Sequence, residues 1–533
     1  MVTRDLVLAV DVGSAAARAA VVSAQGHLLG RASHSFAVHR PVTDHAEHSS
    51  DDIWGAVGQA ARRVVAETRV DPARVAGLAF DATCSVALFD RQGRSVTASS
   101  SGEDRWNVVM WADHRAVGEA AEMTATRHRV LEYVGGTMSA EMELPKLLWL
   151  KRNLPKAWAR YALALDLADF LLWKATGRIA VSACTVTCKW TYLNHEQPGW
   201  QRDFLDRVGL ADLPERAQLP DAVFPIGAPA GGLTPQAAAD LGLTTACTVG
   251  VGLIDAHAGG IGVLGGFSAG ELDRRMALIA GTSTCHMAVS QKPRPAPGVW
   301  GPYFGAMIPG LWLNEGGQSA TGALLEHILD WHAEGRGLGG DRHQQVAERI
   351  GELLAAEGPA MLGDLQVLPD FHGNRSPLAD PLAKGAIHGL SLDNSFDSLA
   401  RLYCAAAIGI GLGNRHIVET MNRAGYAIDH LHLTGGHAAS RLLVQLYADT
   451  ANCRVVLPQE ADGVLLGTGV VAATAAGLYP SLEAAGRAMV RSGEVIVPDP
   501  ARRDFFDRRY RAFLLMIEQR AALQRIARGT SEV

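Results

Sequence analysis

The chain has 533 residues, 48% of them apolar and 20% charged, and a net charge of -6. That length exceeds what one hydrophobic core serves, so at least two domains are expected. The charge is mildly acidic and no run of Lys and Arg is interleaved with aromatics, which excludes nucleic acid and an anionic membrane as main partners.

In chain order, "LVLAVDVGSAAARAAVVSAQGHLLG" (residues 6–30) reads as a meander of strands over Leu6–Val10, Arg18–Val22 and His27–Arg31, the last after a Gln25-Gly26 turn. Asp11 and Gly13-Ser14 fall in its first break. "SSDDIWGAVGQAARRVV" predicts a helix with Ser50 as N-cap, Asp51 and Asp52 at the positive end, and Ile53, Val57, Ala61, Val64 and Val65 as the buried stripe. "RVAGLAF" (74–80) is a short strand that stops at Asp81-Ala82-Thr83-Cys84-Ser85 and resumes as "VALFD". Residues 140–210 read as mostly helical. "CTVGVGLIDAHAGGIGVLGG" (247–266) is a strand breaking at Asp255, followed by a small-residue helix. "MALIAGTSTCHMAVS" (276–290) is a second strand–glycine loop–strand unit, broken at Gly281-Thr282-Ser283. "YFGAMIPGLWLNEGG" predicts a hairpin about Pro309-Gly310, and "HLHLTGGHAASRLLVQLYADT" (430–450) a strand, glycine turn and helix. "GVLLGTGVVAATAAGLYP" (463–480) is rich in Gly, Ala and Thr and reads as a closely packed buried helix rather than a membrane span.

Strands and helices in this order predict an α/β protein with mixed sheets, built as two related halves facing a shared cleft. The expected division is 1–265, 266–490 and a C-terminal helical extension over 491–533. The apolar run after Arg4 and Asp5 is too short for a signal peptide. The seven cysteines (84, 184, 188, 247, 285, 404 and 453) lack zinc spacing, so free thiols in a cytoplasmic protein are expected.

A carboxylate is not buried unpaired without a large penalty, so Asp11 should face solvent or a cation. Glycine loops free backbone amides and let a ligand approach the main chain. One such loop is as well explained by a tight hairpin. The pair at Gly13-Ser14 and Gly281-Thr282-Ser283 points instead to a phosphate chain, with Asp11 reaching Mg2+ through water. There is no GxxxxGK[ST]. "GIGVLG" (260–265) matches a dinucleotide pattern, but its place inside a helix favours close packing. Asp255 ends a buried strand and opens a helix, a position suited to a general base and a second metal contact. Asp113, Trp111, Thr83, Cys84 and Ser85 are candidate substrate contacts, polar groups and a flat wall about strand ends, with Arg115 orienting Asp113. His257 reads as a structural or hydrogen-bonding neighbour rather than a second base.

"DVGSAAARAAVV", "MWADHRA", "PKLLWLKRNLP", "GLIDAHAGGIG", "AGTSTCHM", "FHGNRSPLADPLAKGAIHGL" and "LHLTGGHAAS" together resemble the FGGY family of carbohydrate kinases over nearly the whole chain. "DATCS" and "WLNEGGQSATG" look most like its ribulokinase branch, of the D-ribulokinase type. The resemblance implies a two-domain actin/hexokinase-like (ribonuclease H-like) α/β fold with a ligand cleft between the domains, the sugar held by the first and nucleotide by the second. It implies an ATP- and Mg2+-dependent kinase for a pentulose, D-ribulose above all, with L-ribulose, xylulose or ribitol as alternatives; a non-catalytic nucleotide- or sugar-binding protein is the rival of another class. It places Asp255 as the catalytic aspartate and Lys189 near the sugar, although an exposed lysine ahead of a buried Trp190 is an equal reading of the residue itself. Gly317, Gln318, Ser319, Gly435, Gly436 and His437 join Gly13, Ser14, Arg18, Gly281, Thr282 and Ser283 as the nucleotide set. A homodimer is admitted. Two departures stand out: Asn374 in "FHGNRSP", where much of the family has Glu, and "AEMEL" before Pro145.

Overall fold

A computed structural model of the chain describes residues 3–527, which form two compact units. The first takes the residues up to Asp273, then Met287–Glu315 and Pro458–Ser492. The second takes Arg274–His286, Gly316–Leu457 and the residues from Gly493 on. Two segments beyond Gly265-Gly266 thus pack with the first unit.

The main sheet of the first unit contains β1 (Leu6–Val12), β2 (Ala16–Ser23), β3 (Leu28–Ser35), β4 (Val75–Ala82), β5 (Pro229–Gly232), β6 (Thr248–Gly250) and β7 (Leu253–Ile254). Its order is β3-β2-β1-β4-β6-β5, with β7 also on β4. The β1–β2 and β2–β3 pairs are antiparallel, whereas β4 lies parallel to β1, β6 and β7. Every residue of β1 and β4 is buried, as expected of strands covered on both faces. The Ser50–Thr68 helix packs on β2 and β3, and the Gly463–Ala475 helix on β1 and β4. The first of these buries the predicted stripe, but its N-cap is Ser49, whose Oγ accepts from the Asp52 amide at 3.2 Å. Ser50 sits one step inside the helix, its own amide held by Asn107 Oδ1 at 3.0 Å.

The return of residues 458–492 has a steric basis. A Cβ on Gly262 would stand 1.8 Å from the Gly463 carbonyl oxygen, and one on Gly467 would stand 1.9 Å from that of Ala258. The Asp255–Leu264 and Gly463–Ala475 helices thus touch backbone to backbone. The glycines of "GIGVLG" serve this contact, within a helix, and not a strand-to-helix turn.

Arg115 locks a second part of this unit. Its buried guanidinium binds Asp113 and Glu47, each at 2.7 Å, and lies 5.0 Å from the Trp149 ring. Arg115→Met leaves two carboxylates buried without their cation and should cost about 3–5 kcal/mol in thermal unfolding. A loss below about 1 kcal/mol would show that the pairs are dispensable.

In the second unit, β8 (Arg275–Ala280), β9 (His430–Thr434) and β10 (Arg454–Pro458) run parallel. The Phe396–Arg423 helix is long and apolar enough to cross a membrane, but 78% of its apolar window is buried within the protein, as in a core helix. The Arg503–Ala527 helix of the expected extension is tied to this unit by an Arg520–Asp370 pair and by Arg509 Nη2 on the Gly363 carbonyl at 2.8 Å.

Candidate functional site

In open α/β sheets, ligands gather at the carboxyl ends of parallel strands. Register places three acids at that edge of the first unit. Asp11 on β1 pairs with Asp81 on β4, and Leu253 on β7 also pairs with Asp81, so Asp255 follows directly. Asp11 lies inside its strand, not in the loop after it. Its cation in this structure is Arg18, whose Nε is 2.5 Å away and whose Nη1 holds Asp462 at 2.7 Å. Asp81 is fully buried; Thr468 Oγ1 donates to its Oδ2, while its Oδ1 has no hydrogen-bond partner. Burial, then the Asp11 charge, hold the Asp81 carboxyl well above the usual carboxylate range. Burial and Asp11 likewise push Asp255 up to about 6. Its Oδ1 accepts the Ala256 amide at 2.7 Å at the start of the Asp255–Leu264 helix. Among the described residues, no three His, Cys, Asp or Glu form a preformed metal cage.

Several predicted sugar-side residues come together. Trp111 Nε1 donates to Ser14 Oγ at 2.9 Å and its amide to Ser85 Oγ at 3.1 Å, while Thr83 Oγ1 lies 3.1 Å from Ser85 Oγ. Cys84 is buried beside them, and burial pushes its thiol up, with the Lys189 charge opposing. Asp113 is a correction. Its four acceptor positions are taken by the Arg115 amide, Arg115 Nε and Nη2 and the Ala46 amide, at 2.6–3.0 Å, leaving none for a hydroxyl. It anchors Arg115 instead. Lys189 is not exposed: only 2% of its side chain is accessible, its Nζ is 4.3 Å from the Trp300 ring centroid, and Glu315 Oε2 is 4.0 Å away. Burial works to lower its pKa, but Cys84 and Glu315 outweigh it and hold the ammonium well above the ordinary lysine value. His257 is buried with Nδ1 2.9 Å from Cys184 Sγ and Nε2 3.5 Å from Glu315. Glu315 and Tyr303, like Trp300, were not singled out in the sequence. They lie in the segment that returns to the first unit, although "WLNEGG" carried the signal of a carboxylate in an otherwise apolar strand.

The same logic orders the second unit. β8 ends in Gly281-Thr282-Ser283 and β9 in Gly435-Gly436, with Ile279 opposite Thr434. Gly435 has φ +92, and a Cβ there would stand 2.4 Å from the Ala280 carbonyl oxygen, so only glycine fits. At Gly281 and Gly436 a Cβ would meet nothing within 4 Å. Both line a cavity of about 1030 Å³, together with Thr282, His437, Tyr403 and Leu443. Burial pushes His437 down to about 4, and its Nδ1 lies 2.9 Å from the Tyr447 hydroxyl. Gly317, Gln318 and Ser319 do not join this cavity. They line a separate small hollow beside Arg375, and Gln318 Nε2 is spent on the Ile410 carbonyl at 3.0 Å. Asn374 has a structural place, donating to Asp370 at 2.9 Å and accepting from the Leu378 amide at 3.0 Å.

The chain belongs to the FGGY family of carbohydrate kinases: the family's N-terminal domain matches residues 6–262 and its C-terminal domain residues 276–476. Kinases of this family use ATP, and the chain is in that sense an ATP-dependent carbohydrate kinase with the two-domain actin/hexokinase-like fold. It is 47% identical over 535 residues to an FGGY carbohydrate kinase domain-containing protein of Danio rerio, with 96% of each chain covered. It is 35% identical over 511 residues to the D-ribulokinase of Saccharomyces cerevisiae, covering 87% of this chain and 71% of that one. The xylulose kinase of Rhodospirillum rubrum shares the fold, with a TM-score of 0.79 at 24% identity over 97% of this chain and 99% of the other.

Proposed function

We propose that the chain phosphorylates a pentulose, D-ribulose at its terminal hydroxyl, using ATP and Mg2+. The observation that carries this is Asp255, a carboxylate at a strand end and helix start whose pKa is raised to about 6. A base near that value is free to take a proton at neutral pH yet basic enough to hold it. Asp255 accepts the hydroxyl proton as the sugar oxygen bonds to the γ-phosphorus; the bond from that phosphorus to the bridging oxygen breaks and ADP leaves. Thr83, Cys84 and Ser85, the Trp111 ring, Lys189 and Glu315 supply the polar contacts and flat wall that a polyol needs. The choice of D-ribulose is supported by the likeness to the yeast D-ribulokinase.

The amide-lined bends at Gly13-Ser14 and Gly281-Thr282-Ser283 would take phosphates, and Gly435-Gly436 with His437 the adenosine. The open space at Gly281 and Gly436 is room that a side chain would fill. The oxygen donors Asp11 and Asp255, with the unpaired Asp81 Oδ1 behind them, suit a hard cation carried mostly by the nucleotide. Mg2+ held there would offset the negative charge of the phosphates. Arg18 holds Asp11 in place. The seven free cysteines support a reducing, cytoplasmic setting.

Coupled ADP release over D-ribulose, L-ribulose, D-xylulose and ribitol, with and without EDTA, tests the reading. D-Ribulose should give the highest kcat/KM, and EDTA should stop turnover. A better second sugar reassigns the substrate; nucleotide binding without turnover on any sugar overturns the kinase.

Two glycine variants separate ligand space from packing. Gly281→Ala should leave the melting temperature unchanged yet weaken ADP binding about tenfold, ~1.4 kcal/mol. Gly435→Ala should cost about 2–4 kcal/mol of stability through its positive φ and the clash with Ala280. Unaltered ADP affinity in Gly281→Ala would put the nucleotide elsewhere.

A further inference from the structure

Tyr303 lies on the Trp300–Phe304 strand, which pairs antiparallel with the Trp312–Gln318 strand. Trp300 stands opposite Glu315 and Tyr303 opposite Leu313 in that register. The tyrosine is 1% exposed, and its hydroxyl has no hydrogen-bond partner. A buried phenol of this kind is rare, and leaving it unpaired costs about 1–3 kcal/mol. Phenylalanine would fill the same space without that cost. Burial, then Cys188, push the hydroxyl well above the ordinary tyrosine value, with Lys189 opposing. The Lys189 Nζ stands 4.3 Å from the ring of Trp300 on the same strand and 4.0 Å from Glu315 Oε2 on the paired one, so residues that the proposed function assigns to the sugar meet this strand pair.

We infer that the Tyr303 hydroxyl is a substrate contact that helps set which sugar is accepted, its missing partner being a hydroxyl of the polyol held beside Lys189 and Glu315. The inference rests on the pentulose-kinase reading above. A phenol both donates and accepts, so it can bridge one sugar hydroxyl while Lys189 donates and Glu315 accepts at others. A site built to bond a hydroxyl discriminates strongly, because a sugar lacking that hydroxyl, or holding it at the wrong angle, leaves the buried groups unpaired.

Tyr303→Phe tests this with little risk to the fold. The variant should melt at the native temperature or above it, since an unpaired polar atom is removed. Its KM for D-ribulose should rise at least tenfold, its KM for ATP should stay within twofold, and its kcat/KM ratio of D-ribulose to D-xylulose should fall. Isothermal titration of D-ribulose without ATP should show the same loss of affinity. Native turnover combined with an unchanged sugar KM in the variant overturns this inference alone. A marked drop in melting temperature with the sugar KM intact also overturns it, by assigning the hydroxyl a structural partner such as a buried water. A native protein that turns over none of the four sugars fails the kinase reading and takes this inference with it.

Discussion

Asp255→Asn is expected to lower sugar-stimulated ADP release about 10²–10⁴-fold and, at the same time, to stabilise the free protein. The substitution keeps the shape of the side chain and removes its basic oxygen, so sugar and nucleotide should still bind. The stability gain follows from the raised pKa. An aspartate at about 6 when folded, against an ordinary 3.8, binds its proton more tightly in the native state. That contribution to stability is fully present below the unfolded value and is lost as pH rises through about 6. At pH 8 the charged, crowded carboxylate therefore costs the fold on the order of 2–3 kcal/mol relative to its protonated form. Asparagine carries no such charge, so the melting temperature should rise at pH 8 and change little at pH 4. In the native enzyme kcat/KM should climb through about pH 6 as Asp255 loses its proton. An asparagine variant within tenfold of native turnover, or an acid limb that survives in it, would remove Asp255 from the role of base.

Lys189→Met should strike both stability and sugar affinity. The ammonium is buried between the Trp300 ring, at 4.3 Å, and the Glu315 carboxylate, at 4.0 Å. Removing it leaves Glu315 and His257 to balance each other alone, and breaking a buried pair from one side costs about 3–5 kcal/mol. The sugar KM should rise about 10²-fold, equivalent to ~2.7 kcal/mol, with the ATP KM nearly unchanged. Glu315→Gln in the same chain should restore part of the stability by removing the stranded charge, but not the sugar affinity. A variant with native sugar KM would show that Lys189 is only a core ion pair.

Much of the frame could be read from the chain. Short apolar runs bounded by turn residues located the strands and the Pro309-Gly310 hairpin, and helical spacing of apolar residues located the Ser50–Thr68 helix. The shared order of motifs pointed to the family. What escaped depends on pairing between distant residues. Asp81 looked like a loop residue until the β1–β4 register set it beside Asp11. Asp113 looked available until the geometry of "DHR" folded Arg115 back onto it. Gly317, Gln318 and Ser319 looked like a ligand loop, but the side chain of Gln318 is anchored in packing. Trp300 and Glu315 were not singled out, since nothing local in their strands says that they will meet Lys189.

The scattered make-up of the first unit bears on how the chain is born. Asp462 and Thr468, which brace Arg18 and Asp81, emerge from the ribosome after most of the second unit. At ~5–20 residues per second the acid edge therefore waits tens of seconds for its last partners. During that interval the nascent β1 and β4 lie uncovered where the Gly463–Ala475 helix will pack. A fragment ending near residue 273 lacks these partners altogether. No single cut of the chain separates the two units.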